Sequence, residues 1–284
     1  MRTGAFFTDG FGGLTFQTAF FMRTVFRLCL VGLHMLSGVL QMALWFPWVS
    51  RQRQLVRIGA WSAQLLDICG VRLQVNGVPP VPESGALMLA ANHISWLDVF
   101  AINAVVPARF VAKAEVAHWP VAGYLARKAG TVFVSRERSG GTSAKVAQTA
   151  QALCDGEVVA IFPEGTTTVG DVVLPFKSSF FQIALDHQAK VMPVLCCYPL
   201  ADGGLNEQMA YCGDTSFVQS LRAIVAQPQS VVLLDFLPPL AAEGSRRELA
   251  AKVHAQLAAK LAESVPPAAE SAGAQAEAAL SADG

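Results

Sequence analysis

The sequence predicts an α/β fold in which a β-sheet carries helices on both faces. Short apolar runs typical of strands alternate with helical patterns over most of the chain, as in layered α/β proteins. With 284 residues, 53% of them hydrophobic, the chain can bury a full core in one or two domains. We expect a membrane-associated segment over residues 1–55, an α/β domain over 56–263 and a disordered tail of small and polar residues over 264–284.

The N-terminal apolar stretch is the most membrane-like part of the chain. Residues 28–50 contain no Lys, Arg, Asp or Glu and are long enough to cross a bilayer core. Trp45 and Trp48 lie near its end, where interfacial aromatic residues are common. Arginines stand on both sides of it, at Arg23, Arg27, Arg51, Arg53 and Arg57. The charge pattern therefore leaves open whether a helix crosses the bilayer or a helical hairpin dips into one leaflet.

After the apolar stretch, the predicted elements follow in order. Residues 52–69 place apolar side chains at helical spacing, and Gly70 marks the end of this predicted helix. Residues 71–75 alternate apolar and polar side chains, which predicts a strand, and Asn76-Gly77 predicts a turn. The apolar run 86–90 predicts a buried strand. Further strands are predicted over residues 109–113, 131–135, 158–162, 191–196 and 231–236, and further helices between Pro120 and Gly130 and over residues 143–154 and 246–263.

The turn after the run 86–90 carries a histidine and a carboxylate, His93 and Asp98. Five positions along a helix rotate a side chain by roughly 500°, so these two side chains cannot share a helix face. They can touch only if His93 lies in the turn, before a helix for which Ser95 is a natural N-cap. A carboxylate on one imidazole nitrogen fixes the tautomer and leaves the other nitrogen free to take a proton. The alternative is a capping box from Ser95 to Asp98, in which Asp98 only starts the helix.

Two more polar turns lie beside predicted strands, over residues 130–136 and 162–168. In open α/β sheets, ligands bind at the carboxyl ends of strands, so three such turns can converge on one site. The chain has no G-x-S-x-G elbow, no P-loop and no complete G-x-G-x-x-G. Serine hydrolases of the elbow type, P-loop kinases and dinucleotide enzymes are therefore disfavoured.

Charge and cysteine content exclude other classes of function. Charged residues make up 15% of the chain and balance to a formal net charge of zero, so nothing steers the protein toward nucleic acid. The six cysteines show no C-x-x-C spacing and no neighbouring histidine cluster. They are typical of buried thiols in a reducing compartment, and we expect neither a disulfide framework nor a metal site.

In combination, three motifs resemble those of the glycerolipid acyltransferase family, typified by 1-acylglycerol-3-phosphate acyltransferases. The motifs are His93-x4-Asp98, the G-x-x-F-V-x-R run that ends at Arg136, and F-P-E-G-T over residues 162–166. Residues 191–194 are similar to the family's fourth motif. The resemblance implies a mixed α/β sheet and an enzyme of membrane lipid biosynthesis at the inner membrane, with its active site on the cytoplasmic side.

The resemblance also implies a reaction and a set of site residues. A fatty acyl group would pass from acyl carrier protein or coenzyme A to the hydroxyl of a lyso-lipid, giving phosphatidic acid from 1-acylglycerol-3-phosphate, without a cofactor. His93 would be the general base and Asp98 its orienting partner, with direct attack on the thioester and no covalent acyl-enzyme. The implied substrate-binding residues are Arg136, Glu164, Gly165, Thr166 and Lys177.

One departure from the family pattern concerns the acceptor. The family's third motif usually has an arginine where this chain has Thr167, and a threonine cannot replace a fork of charged donors, although Lys177 can compensate in part. The threonine-rich turn and the segment Tyr211-Cys212-Gly213-Asp214 are similar to the lyso-ornithine-lipid acyltransferase branch. A lyso-ornithine lipid acceptor therefore stays open. So do two functions of other classes, a non-catalytic membrane lipid-binding protein and a thioesterase.

Overall fold

The computed structural model describes residues 10–81, 85–134, 149 and 151–264, with the backbone alone for residues 10–19. Its helices are α1 (Gly10–Leu44), α2 (Arg51–Cys69), α3 (Leu97–Val105), α4 (Ala122–Ala129), α5 (Gln182–Asp186), α6 (Phe217–Ala226) and α7 (Arg246–Ser264). Its strands are β1 (Val71–Gly77), β2 (Leu87–Ala91), β3 (Arg109–Lys113), β4 (Val132–Val134), β5 (Val158–Ile161), β6 (Lys190–Cys197) and β7 (Ser230–Phe236). Short 3₁₀ helices lie at Phe46–Trp48, Ala114–His118, Ser178–Phe181 and Glu207–Met209.

Some predicted features lie partly or wholly outside the described residues. Of the helix predicted over residues 143–154, residues 149 and 151–154 are described, and they are helical. Arg136 lies outside the described residues. So does the predicted tail, apart from Ser264, which ends α7.

The strands form one mixed sheet in the order β1-β7-β6-β2-β5-β3-β4. Neighbouring strands run parallel except β6 and β7, which pair antiparallel. The predicted mixed α/β sheet is therefore confirmed. Because β2 runs parallel to both of its neighbours, β5 and β6, the carboxyl ends of these three strands meet at one edge of the sheet.

The predicted turn at Asn76-Gly77 is wrong. Both residues continue β1, where they pair with Asp235 and Phe236 of β7. Gly77 has a positive φ of 74°, and a Cβ atom there would lie 2.1 Å from the carbonyl oxygen of Phe236. The glycine is needed for this close backbone approach at the sheet edge, and no hairpin forms at this point.

Alternation along β2 sends its side chains into two separate cores. Leu87, Leu89 and Ala91 pack in a cluster with residues of α1, α2, α3 and α6. Met88 and Ala90 pack on the opposite face with residues of α5 and α7. All five residues of β2 are buried, as a central strand with helices on both faces requires.

Helices α1 and α2 form an antiparallel hairpin on the first of these faces. His34 of α1 stacks on Trp61 of α2, with ring centroids 4.4 Å apart, and its Nε2 lies 2.9 Å from the Trp61 carbonyl oxygen. Arg23 and Arg27 donate to the backbone carbonyl groups of residues 225–228 at distances of 2.5 to 3.1 Å. Cationic donors at a helix C-terminus satisfy its free carbonyls and its dipole. These two arginines therefore fasten α1 to the end of α6.

An ion cluster fixes the other end of the hairpin. Arg51, the first residue of α2, lies 2.9 Å from a carboxylate oxygen of Glu157, and Arg109 of β3 lies 2.7 Å from the other oxygen. Burial raises the pKa of Glu157, but the two guanidinium groups outweigh it and hold the pKa below its ordinary value. Both ends of the hairpin are thus bound to the same α/β domain.

The outward face of α1 is strongly apolar. Within the described residues, the helical stretch Phe20–Trp48 is long and apolar enough to cross a membrane, and 22% of its most apolar window is buried. Large apolar side chains on its exposed face are Phe20, Phe21, Met22, Val25, Phe26, Leu33, Leu36, Leu40 and Leu44. The predicted apolar N-terminal helix is confirmed, and it is half of a hairpin.

Candidate active site

His93 and Asp98 meet in the turn between β2 and α3. The Nδ1 atom of His93 lies 2.9 Å from Oδ2 of Asp98. The Asp98 side chain is completely buried, whereas 21% of the His93 side chain is exposed. A carboxylate only accepts hydrogen bonds, so Nδ1 carries the hydrogen and Nε2 of the neutral ring has a free lone pair.

The prediction that Ser95 is the N-cap of this helix is wrong. Trp96 occupies the cap position before Leu97, and no side chain caps the helix. Instead, Asp98 Oδ2 accepts hydrogen bonds from the backbone N–H groups of Ile94 and Ser95, at 2.8 and 2.9 Å. The capping box considered above does not form, because Trp96 and not Ser95 is the N-cap. Asp98 instead shapes the turn before the helix and binds the imidazole with the same oxygen.

Tyr198 is a member of this site that the sequence did not reveal. It follows β6 directly, its ring is buried, and its hydroxyl donates to Asp98 Oδ1 at 2.6 Å. Burial and the negative charge of Asp98 raise the pKa of Tyr198 well above its ordinary value, so it stays protonated. The available signal was its position, since a tyrosine at the carboxyl end of an apolar run stands where site residues gather.

Glu164 fixes the backbone of the turn. Its Oε1 accepts the N–H of His93 at 2.9 Å and its Oε2 accepts the N–H of Leu174 at 3.1 Å. Glu164 is 4% exposed, and burial raises its pKa from 4.5 to about 7 even though both N–H donors favour the ionised form. The structure therefore places Glu164 beneath His93, as a support for the loop that carries it.

Aromatic rings cover one face of the His93 imidazole. Phe162 stacks on it with centroids 3.9 Å apart and planes 13° apart. Phe110 in turn stacks on Phe162 at 5.8 Å. Stacking restricts rotation of the imidazole and shields one of its faces, a contribution that sequence reasoning missed although Phe162 lies within the third motif.

The third polar turn lies beside the first. The N–H of Thr168 donates to the carbonyl oxygen of His93 at 2.9 Å. Gly165 has a positive φ of 70°, and a Cβ atom there would lie 2.2 Å from Lys177 Nζ, so Lys177 reaches over this turn. Thr166 is exposed beside them. The structure thus brings Glu164, Gly165, Thr166 and Lys177 together near His93, while Arg136 lies outside the described residues.

Thr167, at the position of the family's arginine, has a structural partner. Its hydroxyl donates to the carbonyl oxygen of Tyr211. The N–H of Tyr211 donates to the carbonyl oxygen of Ile94 at 2.8 Å. Thr167 therefore joins the third turn to the 211 segment, and that segment to the His93 turn.

An apolar cavity lies behind the aromatic rings, between α1, α2, α3 and α4. Its volume is about 120 Å³. Its lining includes Met35, Met42, Trp61, Phe100, Phe110 and Leu125. Because Phe110 lines the cavity and stacks on Phe162, two rings connect the cavity wall with His93. Concave sites with an apolar lining are typical of ligand pockets.

Comparison with known proteins identifies related sequences. The sequence model of the family described as Acyltransferase matches residues 72–197. The 1-acyl-sn-glycerol-3-phosphate acyltransferase of Neisseria gonorrhoeae is 36% identical over 188 residues, covering 66% of this chain and 72% of that protein. The lyso-ornithine lipid O-acyltransferase of Pseudomonas aeruginosa is 35% identical over 203 residues, covering 71% of this chain and 76% of that protein.

A solved structure shares the fold. The crystal structure of the 1-acyl-sn-glycerophosphate (LPA) acyltransferase PlsC from Thermotoga maritima superposes with a TM-score of 0.66. The match covers 87% of this chain and 96% of that chain, at 19% sequence identity. At this identity, the likeness establishes a common fold.

Glu164 makes a testable prediction for stability against pH. Its folded-state pKa of about 7 exceeds its ordinary value of 4.5, so the native state binds more protons than the unfolded state between these values. The contribution of Glu164 to the free energy of unfolding therefore falls as pH rises from 4.5 to 7, by at most about 3 kcal/mol. We expect the wild type to lose stability relative to Glu164→Gln between pH 5 and pH 8, measured by chemical denaturation in detergent.

The matched control is the exposed Glu263 on α7. Glu263→Gln should run parallel to the wild type over the same pH range. A constant difference between wild type and Glu164→Gln would contradict the raised pKa.

Proposed function

The chain belongs to the acyltransferase family, and we propose that it acylates a lyso-lipid hydroxyl from an acyl thioester, with 1-acylglycerol-3-phosphate as acceptor and phosphatidic acid as product. Acyltransferases that act on lyso-lipids are its relatives. The observation that carries the proposal is the contact between His93 Nδ1 and Asp98 Oδ2, which leaves Nε2 free on a partly exposed ring. A non-catalytic lipid-binding protein has no need of a base held in this way.

The proposed mechanism is general-base catalysis. His93 Nε2 takes the proton of the acceptor hydroxyl while the oxygen of that hydroxyl attacks the carbonyl carbon of the thioester. The carbon–sulfur bond then breaks, and the thiolate that leaves takes a proton from the imidazolium. Asp98 holds the tautomer and stabilises the imidazolium charge. The acyl group passes directly between substrates, so no covalent acyl-enzyme and no cofactor take part.

We assign the apolar cavity to an acyl chain. Its lining is nearly all hydrocarbon and aromatic, and its wall reaches the ring that stacks on His93. An extended acyl chain in this cavity would bury apolar surface at roughly 25 cal/mol per Å² and fix its carbonyl group relative to the base.

The acceptor head group is assigned to the third turn. Lys177 is the cation that the described residues place over this turn, and Glu164 and Gly165 hold the turn in shape. The position of the family's arginine is taken by Thr167, whose hydroxyl binds the Tyr211 carbonyl. This altered turn favours a second candidate, a lyso-ornithine lipid, whose head group requires less concentrated positive charge.

The α1–α2 hairpin is assigned to the membrane surface. Its outward face carries the large apolar side chains of α1, while Arg23, Arg27 and Arg51 bind the protein itself. Because both ends of the hairpin are fastened to one domain, α1 lies along that domain and dips into one leaflet. We place the active site on the cytoplasmic side, where acyl thioesters of acyl carrier protein or coenzyme A are made.

Loss of the base tests the mechanism. We expect His93→Ala to keep its fold and membrane binding but to lose roughly 10²–10⁴-fold in kcat, since a general base contributes about that much. The measurement is thiol release from an acyl thioester, with and without lysophosphatidate, using protein purified from cells that lack other acyltransferases. Near wild-type, acceptor-dependent turnover in His93→Ala would refute the mechanism. Thiol release without any acceptor in the wild type would identify a thioesterase.

Removal of the cation over the third turn tests the acceptor. Lys177→Gln should lower kcat/KM about tenfold for lysophosphatidate and less for lyso-ornithine lipid, because a charge-assisted contact to phosphate is lost. The matched control is Lys190→Gln. Lys190 is the exposed first residue of β6, at the end of the strand away from the site, so both kcat/KM values should stay unchanged. An equal loss on both acceptors would show that Lys177 does not read the phosphate. A wild-type preference for lyso-ornithine lipid would select the second candidate.

The apolar face of α1 tests membrane association. Leu33, Leu36 and Leu40 are 64, 53 and 48% exposed, so replacing all three by Gln removes membrane contact without opening the core. Each leucine that inserts into the membrane contributes roughly 1 kcal/mol or more to the free energy of binding. The affinity for vesicles should therefore weaken at least about 100-fold. Co-sedimentation with lipid vesicles measures it, and an unchanged melting temperature shows that the fold is intact. Undiminished binding by this variant would place the membrane contact elsewhere.

A further inference from the structure

The two oxygens of Asp98 have different partners. Oδ2 accepts from His93 Nδ1 and from two backbone N–H groups of the turn. Oδ1 accepts a hydrogen bond from the Tyr198 hydroxyl at 2.6 Å, the shortest of the four contacts of this carboxylate. Within the described part of the chain, Tyr198 is the one donor to Oδ1. A hydrogen bond from a phenol to a carboxylate is charge-assisted, and it is strong when it is removed from water. Both side chains are buried.

Tyr198 is itself held rigidly. Two residues earlier, Cys196 exchanges hydrogen bonds with the side chain of Asn92, which accepts its N–H at 2.7 Å and donates to its carbonyl at 2.9 Å. The carbonyl oxygen of Tyr198 accepts the N–H of Asn206 at 2.8 Å. Asn92 immediately precedes His93, so the turn and the end of β6 are coupled across the sheet. These bonds fix the backbone on both sides of Tyr198, and so the position from which its hydroxyl reaches Asp98.

We propose that Tyr198 is a positioning residue, whose hydroxyl holds Asp98 in the orientation that binds His93 and limits the basicity that Asp98 confers on the imidazole. This rests on the proposed function, because it gives Tyr198 a part in base catalysis by His93. The phenol shares the negative charge of Asp98, so less of it is available to stabilise the imidazolium. Without the hydroxyl, Asp98 would bind the imidazolium more strongly, and His93 would remain protonated up to a higher pH.

Other titratable groups lie near Asp98 and His93, and their protonation can also affect the pH profile. Glu164 accepts the N–H of His93, and burial raises the pKa of Glu164 from 4.5 to about 7. Cys196 is fully buried, and burial raises the pKa of its thiol well above its ordinary value, so it stays neutral. Lys177 lies over the neighbouring turn. Glu164 is therefore the group whose titration must be separated from that of His93.

The experiment is the pH profile of kcat/KM for Tyr198→Phe, measured with one thioester and one acceptor. Phenylalanine fills the same space, so the removed group is the hydroxyl. We expect kcat to fall roughly ten- to a hundredfold, the KM values to stay within about twofold, and the acid limb of the profile to move up by about one pH unit. The upward shift should persist when both proteins also carry Glu164→Gln, which removes the second titrating group. Tyr124→Phe on α4 is the matched control, and its profile should coincide with the wild type.

A second variant tests the opposite direction. Replacement of Tyr198 by 3-fluorotyrosine keeps the ring and hydroxyl but makes the phenol a stronger donor, so the acid limb should move to lower pH. This variant preserves the packing, which keeps the proposal testable if Tyr198→Phe fails to fold.

An unchanged acid limb in both variants, or a kcat of Tyr198→Phe equal to that of the wild type, would overturn the role of Tyr198. An active His93→Ala would instead refute the proposed function, so the two failures are distinguishable.

Discussion

The buried charge of Asp98 is the constraint on which the site depends. A carboxylate fully removed from water is stable only if hydrogen bonds replace its hydration. Four donors do so here: His93, the backbone of Ile94 and Ser95, and Tyr198. Two of them come from the turn backbone, and Tyr198 comes from the residue that follows β6. One carboxylate therefore fixes the turn, the start of α3 and the end of β6 relative to one another. The same contacts therefore stabilise the buried charge and orient His93.

Strand order explains why these donors converge. β2 lies between β5 and β6, and all three run in the same direction. In the turn after β5, Glu164 accepts the N–H of His93, and the N–H of Thr168 donates to the His93 carbonyl oxygen. Both backbone polar groups of His93 are therefore hydrogen-bonded to this turn. The end of β6 supplies Tyr198 from the other flank. The turn of His93 is thus supported from both sides, by the segments that follow the two neighbours of its own strand.

The sequence predicted the site best where function depends on local spacing. His93, Asp98 and the turn at Glu164 are visible as motifs, and the strands beside them as apolar runs. Tyr198 could not be found in this way, because its contact with Asp98 spans 100 positions and exists only through the pairing of β2 with β6. The local propensity of Asn76-Gly77 predicts a turn, but both residues pair with β7. That pairing joins distant parts of the chain, so local propensity cannot predict it. Arg23 and Arg27 looked like charges that flank a membrane segment, whereas the fold uses them to bind the end of α6.

The protonation state of His93 tests the central claim most directly. Correlation of imidazole ¹⁵N and ¹H resonances in the ¹⁵N-histidine-labelled protein, assigned by comparison with His93→Ala, reports which ring nitrogen carries the hydrogen. Base catalysis oriented by Asp98 predicts a neutral ring with the hydrogen on Nδ1 and a bare Nε2 at the pH of maximal activity. A hydrogen on Nε2 with a bare Nδ1, or an imidazolium at that pH, would contradict it.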